Sequence, residues 1–375
     1  MSSSFLSVLI QRQAGKYGDR VALRYRDYKT ETWIPVSWNQ FAATVKTVSN
    51  ALIELGIGIQ ENIAVFSQNK PECLFTDFAA FANRAVTIPL YATSSPAQAQ
   101  YIINDAQIRI LFVGEQFQYD AAFSVFGFCP SLQQIIIFDR SVVKDRRDVS
   151  SIYFDDFLAM GEGLPHNDVV EERTSRASED DLANILYTSG TTGEPKGVML
   201  HHSCFLEAFR IHDIRLVDMS DKDVSMNFLP LTHVFEKAWS YLCIHKGVQI
   251  CINLRPVDIQ MTIKEIRPTL MCSVPRFWEK VYAGVQEKIA ETTGIKKALM
   301  LDAIRVGKIH NIDYLRKGKT PPLMLHLKYQ FYEKTVYSLL KKTIGIENGN
   351  FFPTAGAAVP DEICEFVHSV GINML

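Results

Sequence analysis

The chain has 375 residues, of which 47% are hydrophobic and 21% charged, a globular composition that excludes disorder as the main state. At about 100–200 residues per domain, two or three structural units are expected. Lys and Arg total 39 against 41 Asp and Glu, and this balance argues against a protein that coats nucleic acid, so no nucleic-acid partner is expected.

From the N-terminus, residues 1–10 lack a basic start, and Gln11-Arg12-Gln13 breaks their short apolar run; no secretory signal is expected. Residues 38–55 carry apolar side chains at spacings of three and four, with Ser37 as N-cap and Gly56 as stop, which predicts an amphipathic helix. Short β-rich runs then alternate with amphipathic stretches. Strands are expected at 63–67, 85–89, 109–113, 134–138 and 183–188, with helices at 71–83 and 96–104 between them. Further on, strands are expected at 224–229, 248–253, 269–274 and 351–354. Helices are expected at 205–212, 234–245, 259–266, 276–292, 296–311, 324–342 and 361–369. The alternation predicts an α/β fold of stacked, mainly parallel β-α subdomains. Residues 143–181 are the most polar stretch and read as a solvated surface connection. The expected division is therefore a first α/β subdomain over 1–180 and a second over 181–375 that carries the phosphate loop.

Seven cysteines lie far apart without a C-x-x-C pair, so neither zinc nor a redox motif is indicated. Reduced thiols of a cytoplasmic protein are expected. No apolar stretch reaches the roughly 20 residues a membrane-spanning helix needs.

The chemically informative segment follows the strand at 183–188. It reads Tyr187-Thr-Ser-Gly-Thr-Thr-Gly-Glu-Pro-Lys-Gly197, with four Ser or Thr hydroxyls, three glycines and one lysine in eleven residues. Glycine lets backbone N–H groups approach an anion, hydroxyls add short donors, and lysine adds a mobile charge suited to phosphate. It is not a Walker A loop: the fifth residue after Gly190 is Pro195, and Lys196 precedes Gly197. The plainer alternative is a polar Gly-rich hairpin loop.

This loop resembles the signature of the adenylate-forming (AMP-binding) superfamily, which includes acyl- and aryl-CoA synthetases, luciferases and peptide-synthetase adenylation domains. Leu229-Pro-Leu-Thr-His-Val-Phe-Glu-Lys-Ala-Trp239 resembles the segment in which long-chain acyl-CoA synthetases place a histidine beside the acyl and nucleotide site. Ser273-Val-Pro-Arg-Phe-Trp-Glu-Lys-Val-Tyr282 and Val86-Thr-Ile-Pro-Leu-Tyr-Ala-Thr-Ser-Ser-Pro96 are similar to further segments of that subgroup. Thr354-Ala-Gly-Ala-Ala-Val-Pro-Asp-Glu362 resembles a turn whose backbone lies against adenine, with Ala355 and Ala358 where the family has Gly and Pro. If the position of Ala355 needs a positive φ, its methyl would be strained.

The resemblance implies an ATP-dependent ligase that converts a long-chain fatty acid to acyl-adenylate and then to acyl-CoA. It implies ATP, Mg²⁺ and CoA, and it allows a homodimer and peripheral membrane contact through substrate delivery. It assigns ATP contacts to Thr188, Ser189, Gly190, Thr191, Thr192, Gly193 and Lys196, and to Gly356, Ala357 and Ala358. Thr188 would also touch the metal, and Lys196 and His233 would be catalytic. The alternatives are an adenylate former for an aryl or amino acid, and a non-catalytic nucleotide-binding fragment. The family's next motif, aromatic-Gly-x-Thr-Glu, and its mobile C-terminal domain lie beyond Leu375 in this reading. The chain is therefore expected to be the N-terminal portion of a longer enzyme, inactive alone.

Several residues have competing readings. His233 and Glu236 form His-x-x-Glu, but no third metal ligand is evident. His201-His202 reads as a turn or helix cap, and Arg276 is as well suited to neutralising a carboxylate as to touching nucleotide. Phe235 and Trp239, four apart, read as helix core.

Overall fold

The computed structural model describes residues 5–163, 166–188 and 194–375. The chain forms two compact units, Met1–Lys222 with Pro230–Arg255, and Asp223–Leu229 with Pro256–Leu375.

The first unit opens with α1 (Leu6–Tyr17), the hairpin β1 (Val21–Asp27) and β2 (Thr32–Ser37), and α2 (Trp38–Glu54). The Ser37 hydroxyl accepts from Gln40 N and the Gln40 side chain accepts from Ser37 N, a full capping box that starts α2 where the sequence places it. There follow β3 (Asn62–Phe66), α3 (Pro71–Ala82), β4 (Val86–Leu90), α4 (Pro96–Asp105), β5 (Ile110–Val113), α5 (Gln116–Val125) and β6 (Gln134–Ile137). Next come β7 (Ile152–Tyr153), α6 (Phe154–Gly163), α7 (Asn167–Ser175), β8 (Leu182–Thr188), β9 (Lys196–His201) and α8 (His202–Arg215). A seven-stranded sheet runs β7-β6-β5-β3-β4-β8-β9, parallel except for β9. The inner strands β4 and β5 are buried along their length, as parallel strands covered on both faces must be. Alternate residues serve opposite faces. Ala64, Phe66, Leu111 and Val113 pack under α4 and α5, whereas Phe112 meets Phe157 of α6 at 5.6 Å between ring centroids.

The polar stretch 143–181 is not a solvated connection. It carries β7, α6 and α7, and Phe154 and Phe157 are buried. Buried Asp148 accepts from Tyr119 Oη at 2.7 Å and Ser151 N at 2.9 Å. Charged residues on the outer face diluted an apolar signal confined to a few positions. Gly161 is one of them: a Cβ there would collide with the Thr47 carbonyl oxygen, so α6 lies closer to α2 than any side chain would permit. Because β8 and β9 complete the sheet begun by β3, the boundary expected at 180/181 falls inside that sheet.

The second unit begins with β10 (Val224–Asn227); the chain then returns to the first unit for α9 (Val234–Lys246) and β11 (Gln249–Ile252), the latter pairing in parallel with β1. The remaining helices are α10 (Ile259–Ile266), α11 (Pro275–Glu291), α12 (Gly294–Gly307), α13 (Leu323–Tyr332), α14 (Ser338–Ile344) and α15 (Asp361–Ser369). The strands expected at 269–274 and 351–354 form only parallel bridges, Ser225 to Leu270, Leu270 to Phe351, Ser273 to Thr354 and Phe352 to Met374. The helices expected at 296–311 and 324–342 each pass into a π-helical stretch, Lys308–Tyr314 and Glu333–Tyr337.

His202 opens α8 as a buried ring, stacked 5.0 Å from Phe5 and set edge-on 5.2 Å from Phe81. Neither ring nitrogen has a hydrogen-bond partner. Burial pushes its pKa down from 6.5 to about 4, against the pull of Asp181 and with Arg84 and His201 adding to the depression. The unfolded chain therefore binds this proton first. The neutral ring's full contribution is present above pH 6.5 and is lost as the pH falls toward 4. At pH 5 the loss should be about 2 kcal/mol. His202→Phe should flatten that part of the stability–pH curve in urea unfolding; a curve parallel to wild type would contradict the buried neutral ring.

Candidate active site

β3, β4 and β8 are parallel neighbours, so the segments after Phe66, Leu90 and Thr188 leave the sheet at one carboxyl edge. Open α/β sheets bind ligands there. Thr188 ends β8, and Lys196 begins β9 directly opposite it in the antiparallel register. Both are exposed. Ser189, Gly190, Thr191, Thr192 and Gly193 lie outside the described residues. The loop thus joins two antiparallel strands, which makes it a hairpin by connection. The Tyr187 hydroxyl donates to Asp105 at the end of α4, which fixes the strand end that launches the loop. Burial first, and then this carboxylate, raise the Tyr187 pKa.

His233 is the N-cap of α9. Its exposed ring accepts from Phe235 N through Nδ1 at 3.3 Å. The preceding turn is held at the sheet edge by Asn69, whose Oδ1 accepts from Leu231 N at 2.9 Å. Asn69 lies three residues beyond β3, so His233 is placed near the edge from which the loop also emerges. Trp239 is buried, as a core position requires. Among the described residues no group of three His, Cys, Asp or Glu could hold a metal ion. Arg276 pairs with Glu279 at 2.8 Å.

Gly356, Ala357 and Ala358 lie in the second unit, on an exposed turn before α15. Gly356 has φ +98°, whereas Ala355 is not among the positive-φ residues. The left-handed position therefore falls on the glycine that is present, and the strain considered for Ala355 does not arise.

Sequence reasoning missed a buried polar chain beneath the site. Lys237 Nζ lies 2.6 Å from Asp77 Oδ2, with both side chains almost wholly buried. The Tyr241 hydroxyl donates to the same oxygen at 2.8 Å. The Asn184 amide reaches Tyr241 and also Thr87. Burial, followed by Asp77, raises the Tyr241 pKa well above the ordinary phenol value. This chain ties β4 and β8 to α3 and α9, the helix capped by His233. One signal was legible: Asp77 is a carboxylate inside an otherwise nearly apolar helix.

Comparison with known proteins agrees with this architecture. The family model for the AMP-binding enzyme matches residues 10–375. The chain belongs to that family. It is 29% identical to fatty acyl-CoA synthetase A of Dictyostelium discoideum, covering 98% of this chain and 51% of that protein. It is 26% identical to a long-chain-fatty-acid–CoA ligase of Homo sapiens, covering 96% of this chain and 54% of that protein. The chain thus spans about half the length of the curated relatives it matches. Among solved structures it is similar in fold to the adenylation domain of a carboxylate reductase from Mycobacterium chelonae. The TM-score is 0.74 at 19% identity, with 99% of this chain and 57% of that chain covered. An anthranilate CoA ligase in complex with anthranoyl-AMP gives 0.69 at 15% identity, with 98% and 58% covered. Both likenesses concern the fold, a mixed α/β architecture with mostly parallel sheets.

The buried pair yields a stability test. Lys237→Met or Asp77→Leu alone should cost about 3–5 kcal/mol, because the remaining charge is stranded in the interior. The double variant should recover most of that loss. Urea unfolding would measure it, and additive single losses would show that the two charges are not coupled.

Proposed function

We propose that this chain carries the nucleotide-activating part of a long-chain fatty acid–CoA ligase. The observation that carries the reading is the Thr188–Lys196 hairpin loop at the carboxyl edge of a parallel sheet, in a chain of the AMP-binding enzyme family. The names of its relatives specify fatty acyl and long-chain fatty acid substrates, and that specificity is carried to this chain as part of the proposal.

In the proposed reaction a fatty acid carboxylate attacks the α-phosphorus of ATP, and pyrophosphate leaves as acyl-adenylate forms. The CoA thiol then attacks the acyl carbon and AMP leaves. The first step brings an anion to a polyanion, so charge stabilisation is the main demand. Lys196 and the loop's backbone N–H groups and hydroxyls would meet it. Mg²⁺ would be held chiefly by the phosphates with the Thr188 hydroxyl, and it would neutralise charge there. Gly356, Ala357 and Ala358 would offer backbone to adenine, and His233 would line the acyl or nucleotide site. No protein nucleophile is required; burial pushes the Cys73 and Cys251 thiols up to about 12, so neither supplies a thiolate at neutral pH. Among the described residues no helix is long and apolar enough to cross a membrane.

The test uses non-reactive acyl-sulfamoyl adenosines with palmitoyl, benzoyl and aminoacyl groups. The palmitoyl compound should bind most tightly by calorimetry and raise the melting temperature most. A preference for the benzoyl or aminoacyl compound would overturn the fatty acid assignment. Lys196→Ala should weaken ATP binding about 10- to 100-fold, the value of a charge-assisted phosphate contact. Unchanged ATP affinity would remove Lys196 from the site. His233→Ala should reduce affinity for the palmitoyl compound while lowering stability by no more than about 1 kcal/mol, the cost of a weak N-cap. Large destabilisation with unchanged affinity would make His233 structural.

A further inference from the structure

Residues 294–345 contain eleven Lys or Arg against three Asp or Glu, which leaves 28 against 38 for the rest of the chain. A near-neutral protein thus concentrates its positive charge in one element. That element is a helical hairpin in the second unit. α12 and its π-helical stretch run out, 318–322 turn, and α13 to α14 run back. The two arms are locked together. Asp302 on α12 holds Lys328 at 2.7 Å and Tyr332 at 2.5 Å on α13. Buried His310 meets His326 at 3.0 Å and stacks on Tyr329 at 4.0 Å. The inner face therefore has its own partners, among them Tyr332 and Tyr337, both buried.

The outer face is apolar and, among the described residues, uncovered. Leu323, Leu327 and Phe331 follow one another at i, i+4 and i+8, with Met324 beside them, and all four are at least half exposed. These positions share one stripe of α13. At the tip, exposed Leu315, Leu323 and Met324 flank Arg316, Lys317 and Lys319. Arg316, Lys319, Lys334 and Lys342 form no ion pair among the described residues.

We propose that this hairpin is a docking element for an anionic phospholipid surface, its Leu323–Phe331 stripe entering the headgroup boundary while the surrounding lysines meet lipid phosphates. A basic helix with exposed Leu, Met and Phe on one side has the composition of an interfacial helix. Nine of the eleven cations are Lys. Lys is depleted at protein interfaces, whose cores favour Arg, so the composition favours a lipid surface over a protein partner. Nucleic acid would use the charge and leave the apolar stripe unexplained. The inference goes beyond the ligase reading and does not depend on nucleotide or fatty acid binding.

The experiment is co-sedimentation of the full chain with vesicles, without ATP or fatty acid. Phosphatidylcholine vesicles are compared with vesicles containing about 30% phosphatidylserine. The chain should bind the anionic vesicles, bind the neutral ones weakly, and dissociate as salt rises to about 0.5 M. Leu323→Ser/Leu327→Ser/Phe331→Ser and Arg316→Gln/Lys317→Gln/Lys319→Gln should each reduce partitioning at least about tenfold. Melting temperatures should stay unchanged, since the substituted side chains lie on the outer face. Failure to bind anionic vesicles would overturn the proposal, as would equal binding by both variants and wild type. So would light scattering that shows the apolar stripe closing a dimer. Binding to a random oligonucleotide that the Gln variant abolishes and the Ser variant leaves intact, with no vesicle binding, would reassign the face to polyanions.

Discussion

The almost wholly buried contact between Lys237 and Asp77 constrains how the helices of the first unit pack. The two residues are 160 positions apart, and their 2.6 Å approach is buried between α3 and α9. Taking both charges out of water is costly, and their attraction repays it only when geometry and further hydrogen bonds are good. Tyr241 supplies one such bond, and Asn184 extends the chain to β4 and β8. Every packing of α9 that separates the two charges is penalised by several kcal/mol. The position of His233 at the start of α9 follows from that penalty, together with the Asn69 bond to Leu231.

The candidate site divides the work between a rigid base and a chemically rich loop. Parallel strands buried on both faces present their ends at one edge, and β8 carries Thr188 to it. Pairing of Thr188 with Lys196 sets the two ends of the loop side by side. The strands supply position, and under the proposed function the glycines, hydroxyls and lysine of the loop would supply affinity for phosphate. β9 turns back antiparallel to β8, so the loop between them is a hairpin by connection, a form compatible with the proposed phosphate binding. In the second unit the same economy places the only left-handed residue of the 354–360 turn at Gly356.

The helical hairpin of the second unit shows why charge balance over a whole chain hides local design. The sum of −2 describes a neutral protein, yet α12 to α14 are strongly basic and the remainder is acidic. Two π-helical stretches shift the helical register where the arms meet at His310, Tyr332 and Tyr337.

The sequence by itself determined the family, the α/β class and most helices whose apolar spacing was regular. Helix 259–266 and helix 361–369 match their expected bounds, because one-sided burial writes a 3.6-residue period into the chain. It did not determine α1, the β1–β2 hairpin, or the structure within 143–181. There polar outer faces masked short apolar sets, such as Phe154 and Phe157, that become meaningful only when a sheet covers them. The strands expected at 269–274 and 351–354 shrank to single bridges, since strand pairing depends on the neighbour as well as on propensity. Tertiary structure alone decided the buried chain from Thr87 to Lys237. Local composition carries no information about which distant carboxylate will meet which ammonium, and only burial turns such a meeting into a constraint.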